Sequence, residues 1–193
     1  MAYTPRILAF AGSTRRDSFN KKLLGVAVAG TRTAGAEVTV LDLKELPLPL
    51  YDGDLEAEGG LPDNAKKLKA LMKGHDGFLI AAPEYNSSIS GVLKNAIDWA
   101  SRAEAGEAPL ACFTDKAAAL LSASPGALAG LRGLATLRSI LHNIGVHVLP
   151  TQLGIPRAHE AFDAEGGLKD PKLRAKAEQI GAALAEFLRR HRG

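Results

Sequence analysis

The segment Gly12-Ser13-Thr14-Arg15-Arg16-Asp17-Ser18-Phe19-Asn20 gathers three hydroxyls, two guanidinium groups and a carboxamide within eight residues. Hydroxyls and an arginine fork, together with backbone amides, are the donors that hold a phosphate. A pyrophosphate calls for Gly-x-Gly-x-x-Gly, so that the backbone can approach closely, and this segment has only Gly12; the donor set fits a terminal monophosphate. The same residues also read as a capped helix start with Asp17 or Ser18 as N-cap and solvated arginines. A second segment, Ala82 to Gly91, offers the aromatic face of Tyr85 and the amide of Asn86 between Pro83 and Gly91, and suits a planar heteroaromatic ring as well as it suits a plain turn. A third, Ser122-Ala123-Ser124-Pro125-Gly126-Ala127, is made of small residues that let a ligand edge approach the backbone.

Such loops need a scaffold that brings them together. Five short, nearly continuous apolar runs, Arg6 to Ala11, Glu37 to Leu41, Gly77 to Ala82, Ala117 to Leu121 and Val146 to Leu149, have the character of strands covered on both faces. Between and after them lie amphipathic stretches: Phe19 to Ala34, Asp63 to Lys73, Ser90 to Arg102, Leu128 to Asn143, and a last helix with Leu173, Ala177, Ile180, Leu184, Phe187 and Leu188 on one face. This alternation predicts a single α/β domain over residues 1–193, a flavodoxin-like three-layer sandwich with a five-stranded parallel sheet of order 2-1-3-4-5. In that arrangement the first and second segments leave neighbouring strands at the topological switch point, so both face one crevice. Lys44 to Pro62 reads as a long connection, and Arg102 to Ala108 and Arg157 to Gly167 as further loops.

Other features exclude function classes. Net charge is +3 with Lys and Arg interleaved among Asp and Glu, which does not point to nucleic acid. The longest apolar stretches fall well short of the roughly 20 residues of a membrane helix, and the first residues lack a signal-type apolar core, so a cytoplasmic protein is expected. The five histidines show no ligand spacing and no metal is expected; Cys112 reads as a small buried hydrophobe. Thiolate phosphatase chemistry would need a cysteine in the first loop, which has serine and threonine instead. Asp42 reads as a loop-starting residue, since a ribose-binding role belongs with the missing glycine fingerprint. Trp99 joins Val92, Leu93, Ala96, Ile97 and Ala100 in an apolar arc wider than sheet contact requires, which predicts a homodimer through this helix.

The Gly12 to Asn20 segment, Pro83-Glu84-Tyr85-Asn86-Ser87-Ser88 and Gly91-Val92-Leu93-Lys94-Asn95-Ala96-Ile97-Asp98-Trp99 together resemble the NADPH-dependent FMN reductase family, which includes quinone, azo-dye and chromate reductases. The resemblance implies FMN as cofactor and NADPH or NADH as electron donor. It places the FMN phosphate on Ser13, Arg15, Ser18 and Asn20, with Thr14, Arg16, Asp17 and Phe19 completing the loop. The isoalloxazine falls on Pro83, Glu84, Tyr85 and Asn86, and Ser122, Ser124 and Gly126 close one edge. Ser90, where many relatives have proline, and Ala129, where they often have glycine, depart from the pattern. The implied reaction passes a hydride from nicotinamide through flavin N5 to a small-molecule acceptor (a quinone, an azo compound, a metal oxyanion or free flavin) by a ping-pong mechanism. The flavin is then the catalytic group and no side chain serves as an essential acid or base. Arg16 or an arginine from a second subunit would read the 2′-phosphate of NADPH, and a dimer or dimer of dimers is expected. The competing reading is an FMN electron carrier of flavodoxin type; a ligand-free regulatory protein is a third.

Overall fold

The computed structural model describes residues 3–192. Its main sheet contains β1 (Arg6–Ala11), β2 (Glu37–Leu41), β3 (Gly77–Ala81), β6 (Ala117–Ala123) and β7 (His147–Ile155), in the order β2-β1-β3-β6-β7. Every neighbouring pair is parallel, as the sequence predicts. Alternate residues of each strand feed opposite layers. Ile7, Ala9 and Ala11 of β1 face α1 (Phe19–Thr33) and α7 (Pro171–Arg192), whereas Leu8 and Phe10 face α3 (Asp63–Gly74), α4 (Gly91–Ala100) and α5 (Leu131–Asn143). The two helices of the first layer meet at small residues: a β-carbon on Gly30 would lie 2.2 Å from the Glu178 carbonyl oxygen.

Three elements depart from the sequence reading. The fifth strand extends beyond Leu149 to Ile155, through Pro150. Its register against β6 slips between Ala118 and Leu120, so Pro150 occupies a bulge on an edge strand, where a missing N–H breaks no ladder. Arg138 donates to the freed carbonyls of Val148 and Pro150. The fourth crossover helix opens at Leu131 instead of Leu128, because Ala129 and Gly130 both adopt positive φ. The Lys44 to Pro62 connection contains α2 (Gly53–Gly59), capped by the Asp52 carboxylate, which accepts from the Asp54 amide.

That connection also revises the dimer argument. It lies across α4, where the Asn95 side chain accepts from the Tyr51 amide and donates to the Pro49 carbonyl, while Trp99 Nε1 donates to the same carbonyl at 2.8 Å. Trp99 is fully buried, with Tyr51 edge-on to it and Leu61 and Ala65 against it. The wide apolar arc of α4 is thus covered within the chain and does not call for a second subunit.

Candidate functional site

β1 and β3 end side by side, the Gly12 amide donating to the Ala81 carbonyl at 2.9 Å. Gly12 has no room for a side chain, since a β-carbon there would sit 3.0 Å from Leu93 Cβ and 3.3 Å from Pro83 Cδ. Beyond it, Ser13 is buried and accepts from the Arg15 amide, while Thr14, Arg15, Arg16 and Asp17 are exposed. Ser18 is the N-cap of α1, with the extended backbone of a cap, yet its buried side chain makes no capping bond. The first turn carries no acidic residue, and the first helical bond runs from Lys22 to Ser18. The amides of Phe19, Asn20 and Lys21 therefore open the helix without acceptors. A 15-residue helix start with free N–H groups, a spare hydroxyl and two exposed guanidinium groups is an anion site.

One sequence-predicted ligand is redirected. Both ends of the Asn20 amide are engaged, Nδ2 donating to the Ala123 carbonyl and Oδ1 accepting from the Ala123 amide, each at 2.9 Å. Asn20 is a strut between the α1 start and the third loop.

The second loop is a small hairpin, β4 (Glu84–Tyr85) paired with β5 (Ser88–Ile89). Its two-residue turn puts Asn86 at φ 50° and Ser87 at φ 66°, the left-handed pair that matches hairpin twist. The tip leaves Tyr85 half-exposed as an aromatic surface, and Pro83 is buried at the base. The Glu84 side chain is engaged within the chain. Its carboxylate accepts from the Arg132 and Gly133 amides at the start of α5 and pairs with the Arg132 guanidinium. Burial pushes this carboxyl up, but the Gly133 N–H and the Arg132 guanidinium outweigh burial and hold it below the usual carboxylate range. Gly133 permits the approach: a β-carbon would lie 3.1 Å from the Ser88 carbonyl oxygen.

In the third loop Ser122 is fully buried, and its hydroxyl has no hydrogen-bond partner among the described residues. Gly130, at φ 79°, passes so close that a β-carbon would fall 1.9 Å from that hydroxyl oxygen. Ser124 shapes the turn, its hydroxyl accepting from the Gly126 amide, while its backbone pairs with Ile155 and with Ala158, the first residue of α6 (Ala158–Ala161).

The three loops are braced pairwise. Asn20 joins the first to the third, Glu84 joins the hairpin to the helix that follows the third, and Ser90 joins the first to the second. Ser90 is the N-cap of α4; its hydroxyl accepts from the Leu93 amide and donates to the Gly12 carbonyl at 2.6 Å. The sequence opens a helical stretch at Ser90 and marks it as a departure from relatives; a Ser directly before an apolar helical run is an N-cap signal, but nothing local announces the bond to Gly12. Asp42 behaves as expected, capping the Leu43–Glu45 turn and pairing with Lys21 at 2.6 Å.

The residues fit FMN: an uncapped helix start for its phosphate, and between hairpin and third loop an aromatic face and close backbone for its ring. A family model described as NADPH-dependent FMN reductase matches residues 5–160. The chain is 38% identical over 189 residues to an NAD(P)H-dependent FMN reductase of Pseudomonas aeruginosa, covering 97% of each chain. It is 34% identical over 193 residues to an NADPH:quinone oxidoreductase of Arabidopsis thaliana, covering 97% of this chain and 94% of that one. Among solved structures it resembles the flavoenzyme NAD(P)H:(acceptor) oxidoreductase of Paracoccus denitrificans, with a TM-score of 0.79 at 28% identity over 97% of this chain and 99% of the other. The chain belongs to the NADPH-dependent FMN reductase family, and is an oxidoreductase that uses FMN with a reduced nicotinamide.

Proposed function

We propose that the protein reduces a quinone or a free flavin with electrons from a nicotinamide, donor and acceptor occupying one open face of FMN in turn. The open N-terminus of α1 carries this reading. Ser13, Thr14, Arg15, Arg16, Ser18 and the amides of Phe19 to Lys21 hold the phosphate; Asp17 and Phe19 shape the turn around it. Pro83, Tyr85 and Asn86 support the ring, with the backbone of Ser122 to Gly126 along its edge. When bound, FMN supplies the two-electron chemistry, taking a hydride from the nicotinamide and giving it to the acceptor.

The protein's own part is to orient and to stabilise charge. Glu84, the carboxylate in the hairpin, is locked as an anion against α5 and is not available as a proton donor. No described side chain of the hairpin or third loop is placed as an acid or base, which suits a reaction whose reacting atoms belong to the flavin and its partners. Alternating occupancy requires ping-pong kinetics.

The homodimer now rests on a different surface. Tyr85 of the hairpin and Leu128 and Leu131 at the approach to α5, at 50%, 52% and 47% exposure, are the apolar side chains it offers a partner. A cytoplasmic setting belongs to the same proposal.

Anaerobic mixing of the FMN-loaded protein with NADPH tests it. Rapid bleaching of the flavin, followed by reoxidation on adding a quinone, is expected. A flavin that stays oxidised would refute the enzyme reading and favour a one-electron carrier.

A further inference from the structure

A cavity of about 380 Å³ lies beside the anion loop but outside the three loops that frame the ring. Thr14 forms one wall, the stretch from Leu43 to Leu48 another, and Val92, Asn95 and Ala96 of α4 the third. Its surface is mainly apolar, from Leu46, Leu48 and Val92. The Asn95 amide is held by Pro49 and Tyr51, one bond at each end. The exposed polar side chains of the lining are those of Thr14 and Lys44. Lys44 forms no ion pair among the described residues. Its neighbour Glu45 does not line this cavity, and Asp42, two residues back, pairs with Lys21 at 2.6 Å.

We infer that this cavity receives the adenosine end of the nicotinamide donor, with Lys44 reading its 2′-phosphate; the inference rests on the donor reaction proposed above. The chemistry of the walls selects the occupant. Leucine and valine side chains suit the flat, weakly polar face of a purine, and an exposed lysine on the lining suits an anion attached to it. No residue of the hairpin or of the Ser122 to Gly126 loop lines the cavity. A ligand that fills it and also reaches the ring must be long, with a middle portion that passes the exposed Thr14. A dinucleotide has that form. Lys44, more than Arg16, then distinguishes NADPH from NADH.

Calorimetric titration of the FMN-loaded protein with adenosine 2′,5′-bisphosphate and with 5′-AMP tests this without turnover. The bisphosphate is expected to bind more tightly than 5′-AMP. Lys44→Ala should weaken the bisphosphate about tenfold, the value of one exposed charge-assisted contact of about 1.4 kcal/mol, and leave 5′-AMP unchanged. Val92→Phe, which fills the mouth, should weaken both. Lys172→Ala, an exposed lysine on the last helix, is the charge control and should weaken neither. The ratio of kcat/KM for NADPH over NADH should fall about tenfold in Lys44→Ala. Unchanged bisphosphate affinity in Lys44→Ala would overturn the inference, as would unchanged affinity of both nucleotides in Val92→Phe. If NADPH bleaches the parent's flavin while these variants bind like the parent, only the adenosine site falls. Failure of NADPH to bleach the parent at all would instead remove the donor reaction.

Discussion

Ser90→Ala removes one hydroxyl that makes two bonds in a site 1% exposed to solvent. Losing an N-cap side chain costs about 1 kcal/mol. The Gly12 carbonyl then loses its donor in a region closed by Leu93 and Pro83, and a buried unsatisfied acceptor costs about 1–3 kcal/mol more. The sum, about 2–4 kcal/mol, is a large part of the stability of an ordinary domain. Ser90→Pro provides the internal comparison. Ser90 has φ −68°, the angle that proline fixes, so proline gives up the same two bonds but recovers about 0.4–1 kcal/mol through a less flexible unfolded chain. Urea unfolding of the FMN-free protein should therefore rank the parent above Ser90→Pro and Ser90→Pro above Ser90→Ala, with the slope unchanged. In the same order, FMN affinity should decline, because the Gly12 carbonyl belongs to the loop that carries the phosphate donors. A Ser90→Ala protein within about 0.5 kcal/mol of the parent, the range of an ordinary surface change, would refute the claim that Ser90 braces the two loops.

Arg15→Ala should weaken FMN by about 1.5–3 kcal/mol and riboflavin hardly at all, since the charge-assisted bond exists only when phosphate is present; equal losses in fluorescence titration would remove Arg15 from the anion site. Tyr85→Ala should weaken FMN and riboflavin alike, and unchanged binding of both would take the hairpin tip out of the ring site. Away from the site, burial pushes the Glu107 carboxyl up, but bonds from Lys69 and Lys73 outweigh it and bring it down to about 2. Because the folded value lies below the ordinary 4.5, the network contributes stability above that pH and loses it progressively as pH falls toward about 2. Glu107→Gln should flatten the part of the acid unfolding curve in that window, and a curve that overlays the parent's would contradict the assignment.

The sheet and its order are legible in the sequence because each strand is a short apolar run and each crossover has a periodic face. The anion loop is legible because its donors are contiguous. What the sequence hides is long-range pairing. A carboxamide and a carboxylate are as well suited to bracing a loop as to holding a ligand, and nothing local to Asn20 announces that its partner is Ala123, 103 positions away. Glu84 is hidden in the same way by its attachment to α5, 48 positions on. The helix Gly53–Gly59 buries none of its residues and so carries no apolar stripe. The hairpin has two residues per strand, too few for an alternating pattern, and Ser87 takes a left-handed turn position where glycine would have signalled it. Trp99 reads as an interface residue because the segment that covers it, Leu48 to Leu61, looks like a loop.

A crystal structure of the protein with FMN bound measures the central claim directly. The account predicts phosphate density within hydrogen-bonding distance of Ser18 and the amides of Phe19 to Lys21, with the ring between Tyr85 and the Ser122 to Gly126 backbone. A phosphate found away from the start of α1, or a nucleotide lying in the reverse direction, would contradict it.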